Sequence, residues 1–191
     1  MEKKNLSAEM AAAAAEAARV VNGVPEGTLN APTPCGEWDL RTLLNHTILW
    51  TSYSAERRAH GESVAEDLMN KDFTADPGFR EDYARQIGQA VRAWSEPNAW
   101  EGELGVMGDA TPAADVGAML LMEMALHGWD VAKATGQPTS VDPELAEFAW
   151  ENVKDLAEHC RGPGKPFGAK VTAPANAATT DRLVVWLGRK P

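Results

Sequence analysis

Within Leu121-Met122-Glu123-Met124-Ala125-Leu126-His127-Gly128-Trp129-Asp130, a carboxylate and an imidazole stand four residues apart in a mostly apolar run. The run belongs to a longer helical pattern that puts Val116, Leu120, Glu123, His127 and Val131 on one stripe. Positions i and i+4 of a helix share a face, with Cβ atoms about 5–6 Å apart. Had that face met solvent, its neighbours would be polar. A buried glutamate is costly unless it is paired or bound to a metal. The fold must therefore bring a partner to this stripe. The upstream segment Leu43-Leu44-Asn45-His46-Thr47-Ile48 offers a second imidazole in similar company. The expectation is that His46, Glu123 and His127 bind one metal ion in the middle of a helical bundle. The alternative is that Glu123 and His127 simply pair with one another, or with Arg41 or Lys133, and the spacing alone leaves both open.

The remaining pattern supplies the bundle. A first helix is expected over residues 6–22, capped by Ser7, with Met10, Ala14, Ala17, Ala18 and Val21 on one face. Its alanines suit close approach to a neighbour. Asp39 is a good N-cap for a second helix running to about residue 59, with Trp38 stapled onto Leu43. Leu43, His46 and Trp50 share one face of that helix. Asp76-Pro77 opens a third, in which Phe79, Tyr83, Ile87, Val91 and Trp94 recur at helical spacing. Residues 96–111 read as a loop, with a short extended piece at most around Leu104-Gly105-Val106. Thr111-Pro112 opens the helix that carries Glu123 and His127, and Gly136 stops it. Asp142-Pro143 opens a fifth helix with Leu145, Ala149, Val153 and Leu156 inward, and Thr180 to Leu187 form a short last one. The expectation is an all-α chain, one domain over 1–191, with core helices over 6–160 and a C-terminal loop and short helix over 161–191.

With 18 basic against 28 acidic residues and a net charge of -10, no basic patch is available to neutralise phosphates, so a nucleic-acid partner is not expected. No apolar stretch approaches the roughly 20 residues of a membrane span. The N-terminus lacks the pattern of a signal peptide, and two cysteines do not make a disulfide framework. A cytoplasmic protein is expected. Its oligomeric state is open, a homodimer being one option.

Two histidines and a glutamate with an open fourth position form a known catalytic zinc set, and the same donors suit Fe(II), nickel or cobalt. A dinuclear site would need further Glu and His ligands at i, i+3 spacing, which the sequence lacks. Asp130, three residues after His127, is the candidate to hold that ring's free nitrogen. Asn45 and Trp50 flank His46 as pocket candidates. Trp94 and Trp129 read as core. Cys35 precedes a helix start, where a thiol can be activated, but a small buried hydrophobic side chain is the preferred reading. His159 and Cys160 diverge, and His60 belongs on the surface. No serine–histidine–acid arrangement occurs, and Gly102, Gly105 and Gly108 do not follow a strand into a helix as a dinucleotide site requires.

Four motifs together carry a resemblance across nearly the whole chain: Thr33-Pro34-Cys35-Gly36-Glu37-Trp38, Leu43-Leu44-Asn45-His46, Glu123 to Asp130, and Asp181-Arg182-Leu183 with Trp186-Leu187-Gly188-Arg189. They resemble the actinobacterial family related to the mycothiol-dependent maleylpyruvate isomerase metal-binding domain, of the DinB-like four-helix-bundle superfamily. The resemblance implies that bundle with additional short C-terminal helices. It also implies a metal triad at His46, Glu123 and His127, and a metal that keeps the sulfur of mycothiol as thiolate and presents it to a small electrophile. The isomerase has a further C-terminal domain, whereas this sequence runs only to Pro191, so a different thiol-dependent transferase or isomerase is expected. The competing expectation is a non-catalytic bundle that holds a ligand, a structural metal or a buried Glu–His network.

Overall fold

The computed structural model describes residues 5–189 apart from 37, 107, 140, 160, 163–166 and 174–175, and apart from the side chains of Asp155 and Leu156. Expectations for Leu156 and Cys160 fall outside the described residues.

Helix α1 (Ser7–Asn22) buries Met10, Ala14, Ala17 and Val21 as its alanine stripe predicts. Ser7 is not its cap; the Ser7 amide instead donates to the side chain of Asn5. Helix α2 (Leu40–Ile48) starts at Asp39, whose carboxylate accepts from the Thr42 amide. It continues through a π-helical turn (Leu49–Tyr53) into α3 (Ser54–Ala59). Buried hydroxyls gather at this turn. Thr51 donates to the Thr47 carbonyl and Ser52 to that of Ile48, while the Ser54 amide reaches back five residues to Leu49. Such hydroxyl back-bonding competes with the regular ladder and permits the extra residue. The turn places Trp50 one turn beyond His46.

Helix α4 (Phe79–Trp94) begins two residues later than Asp76-Pro77 predicts, because Asp76 turns the chain by accepting from the Gly78 amide. Phe79, Tyr83, Ile87 and Trp94 are buried. The segment read as a loop holds a hairpin of β1 (Glu103–Val106) and β2 (Asp109–Pro112), paired antiparallel with Glu103 opposite Pro112. The extended piece expected around Leu104-Gly105-Val106 is β1, with Leu104 and Val106 against the core, whereas β2 is largely exposed and carries no apolar alternation. Thr111 therefore lies in a strand, and helix α5 (Ala113–Ala134) follows Pro112 directly.

Helix α5 is the central member. It packs along α1 and against α2, and α1 also packs on α4, which closes a four-helix bundle of the DinB-like kind. Contact between α1 and α5 is close enough that a Cβ at Gly128 would stand 3.5 Å from the Ala17 Cα. Helix α6 (Pro143–His159) is capped by Asp142, which accepts from Glu144 and Leu145 amides, and it packs on α7 (Thr179–Trp186). Among the described residues no helix is long and apolar enough to cross a membrane.

Candidate metal centre

The stripe on α5 delivers Glu123 and His127 to the α2 face that carries His46. One carboxylate oxygen, Oε2 of Glu123, lies 3.0 Å from Nε2 of His46 and 3.1 Å from Nε2 of His127. The three donors fall within 4.8 Å of one another. Arg41 and Lys133, the other partners considered for Glu123 and His127, are engaged elsewhere: Arg41 with Asp72 and Thr74, Lys133 over the Trp129 ring.

The spacing fits a cation. Ligand atoms about 2.1 Å from one zinc ion stand roughly 3–3.4 Å apart, a range that includes both Glu123–imidazole distances. Access also fits. The side chains of Glu123 and His46 are 40% and 27% exposed, so the triad opens to solvent on one side while His127 is buried.

The other nitrogen of His127 is fixed. Nδ1 lies 3.0 Å from Oδ2 of Asp130, which is fully buried. This is the contact envisaged for Asp130 from its place three residues on. With Nδ1–H donated to Asp130, Nε2 faces Glu123 and His46. Asp130 is gripped in turn by Arg189, whose Nε and Nη2 donate to its two oxygens at 2.8 Å each. Cys35 sits beside this pair, its Sγ 3.9 Å from Arg189 Nη2.

Electrostatics follow from these contacts. Burial pushes the Glu123 carboxyl upward, but the charge on His127 and hydrogen bonds from both imidazoles prevail and hold it well below the carboxylate range. Burial likewise opposes charge on His127, yet Glu123 and the Asp130 and Cys35 contacts raise the ring well above 6.5. Burial would raise Asp130, but Arg189 outweighs it and keeps the carboxyl depressed.

Two indole rings stand beside the histidines. Trp38 lies against His46, centroids 4.9 Å apart, and against His127 at 6.2 Å, instead of serving only as a staple for α2. Trp50 stands 6.3 Å from His46. Asn45 takes no part in the triad: its amide donates to Asp72 and its carbonyl accepts from the Phe73 amide, tying the 72–74 turn onto α2. Trp94 is core, donating to the Ala55 carbonyl, and His60 is exposed. A groove of about 300 Å³ beside Trp150, Lys170, Arg182 and Trp186 has no triad residue in its wall. The sequence reading missed Trp38 and Arg189 at this centre. The signal for Trp38 was an aromatic residue before an N-cap; no spacing rule joined Arg189 to Asp130.

The uncharacterized protein Rv0738 of Mycobacterium tuberculosis H37Rv is 27% identical over 186 residues, covering 90% of this chain and 91% of the relative. The uncharacterized protein MT0763 of Mycobacterium tuberculosis CDC 1551 aligns with the same figures. No solved structure matches the chain. The profile of the family described as mycothiol maleylpyruvate isomerase N-terminal domain matches residues 10–132, a span that contains His46, Glu123, His127 and Asp130. The chain belongs to the mycothiol maleylpyruvate isomerase N-terminal domain family.

Proposed function

We propose that this protein is a mononuclear divalent-metal enzyme that activates a small thiol for attack on a small electrophile, as a transferase or isomerase. The observation that carries the reading is the single Glu123 oxygen shared between two imidazole nitrogens at 3.0 and 3.1 Å on a half-open face. His46, Glu123 and His127 would hold the ion, with zinc favoured by the donor set and nickel, iron or cobalt compatible with it. Family membership makes mycothiol the candidate thiol. When bound, a divalent cation supplies the acidity that keeps a thiol as the nucleophilic thiolate at neutral pH.

The protein's own residues do the rest. Asp130 holds the Nδ1 proton of His127, so Nε2 is the free donor. Three protein ligands leave a coordination position open. Trp38 and Trp50, beside the histidines, give apolar surface to the incoming molecule. The cytoplasm, where small thiols stay reduced, suits such a reaction.

Metal analysis of protein purified without chelator tests the reading. About one equivalent per chain is expected in the wild type, lost in His46→Ala and Glu123→Ala. The loaded protein should then consume an electrophile only when a thiol is supplied. Absence of metal, with no thermal stabilisation on adding zinc or nickel, would reduce the three residues to a polar network and favour a binding role.

A further inference from the structure

The family profile ends at residue 132, yet the far end of the chain reaches the metal centre. Helix α7 closes with the Gly188 amide donating to Val185 and the Arg189 amide to Val184. Gly188 has φ +86°, and a Cβ there would lie 2.7 Å from the backbone of Gly168. Glycine alone fits this turn, and the turn aims the next residue inward. The Arg189 side chain is 6% exposed and that of Asp130 is 0% exposed. Their contact uses both oxygens of the carboxylate and two nitrogens of the guanidinium.

A carboxylate bound at one point can swivel, whereas a two-point fork fixes its plane. Oδ2 of Asp130, held by Arg189 Nη2, is the same oxygen that meets Nδ1 of His127. Partners of this kind set the tautomer and ring angle of a metal-binding histidine. The contact runs from the chain's last described residue, through α5, to a proposed ligand.

We propose that Arg189 is a positioning residue of the metal centre, locking Asp130 and through it the ring of His127, so that the segment beyond residue 132 completes the site. The inference rests on the reading of His127 as a ligand. The competing role is a pin that only fastens α7 to α5.

Cobalt(II) and zinc affinities of the full chain, measured by chelator competition, separate the two roles when read with the cobalt visible spectrum and the urea midpoint of the metal-free protein. Arg189→Met should weaken both metals by about 10- to 100-fold and shift the cobalt bands. Arg189→Lys, with one charge but no fork, should recover part of that loss. In an Asp130→Asn background, Arg189→Met should add no further loss of affinity. A lowered urea midpoint with wild-type affinity and spectrum would show a pin and overturn the proposal. If Arg189→Met does not fold, Asp130→Asn and Arg189→Lys decide, and wild-type affinity and spectrum in both overturn it. A wild-type chain that binds neither metal would overturn the metal reading itself. Wild-type binding with an indifferent Arg189 removes only this inference.

Discussion

The two nitrogens of His127 look into different surroundings. On the Nε2 side stand Glu123 and His46, half-open to solvent, with indoles beside the histidines. On the Nδ1 side stand Asp130 and Arg189, almost wholly buried and joined by a two-point ion pair. Ions on the open side keep access to water, so their exchange costs little. Those on the closed side have lost their hydration and depend on one another. One ring thus connects a side suited to reversible binding with a side suited to fixed geometry.

Alanine substitutions should expose this asymmetry most strongly at the two carboxylates. Asp130→Ala strands a buried guanidinium and should cost about 3–5 kcal/mol in urea unfolding of the metal-free protein. Glu123→Ala should cost about 1 kcal/mol or less, while abolishing metal binding. Equal costs would erase the distinction. Gly188→Ala strikes the closed side through the backbone: a positive φ and a Cβ at 2.7 Å from Gly168 predict a loss of about 1–3 kcal/mol, read in the same experiment. On the α2 side, Asn45→Ala should cost about 1 kcal/mol by freeing the 72–74 turn, with metal stoichiometry unchanged.

The smallest effect concerns pH. Hydrogen bonds from Thr74 and Asn45, then Arg41, hold the exposed Asp72 carboxyl below its ordinary 3.8. A depressed carboxyl stabilises the fold above its unfolded pKa and loses that contribution as pH falls through the folded value. Asp72→Asn should therefore narrow the gap to wild type only below about pH 4, in acid-unfolding curves.

What the sequence made legible was what is local or periodic. Glu123 and His127 are neighbours on one helix turn, and the apolar stripe around them announced the burial of His127, whereas Glu123 is half-open to solvent. His46 declared itself by the leucines beside it. The long bundle helices followed from their periodicity and from Asp39 and Asp142. Contacts made across the chain left weaker marks. Trp38 was assigned to a neighbour five residues on because a staple is a local device, whereas its ring lies against two histidines from different helices. Arg189 is 59 residues from Asp130, and no spacing rule joins them. Lys133, three residues after Asp130, was the nearer cation in sequence, but it lies over the Trp129 ring instead. Of the β1–β2 hairpin only the first strand was legible, through Leu104 and Val106; β2 has no apolar face to mark it. The π-helical turn was hidden because it arises from hydroxyls at Thr51 and Ser52 that also read as ordinary helix residues.

The 59 residues between Asp130 and Arg189 also impose an order in time. Chains are made from the N-terminus at about 5–20 residues per second, so Arg189 follows Asp130 by roughly 3–12 s. Through that interval the nascent bundle already holds both histidines and both carboxylates, but lacks the guanidinium that makes burial of Asp130 affordable. Asp130 must stay hydrated until the last helix arrives. The centre is therefore finished only once residue 189 has been made, and a chain stalled before it would carry the whole triad with His127 unfastened.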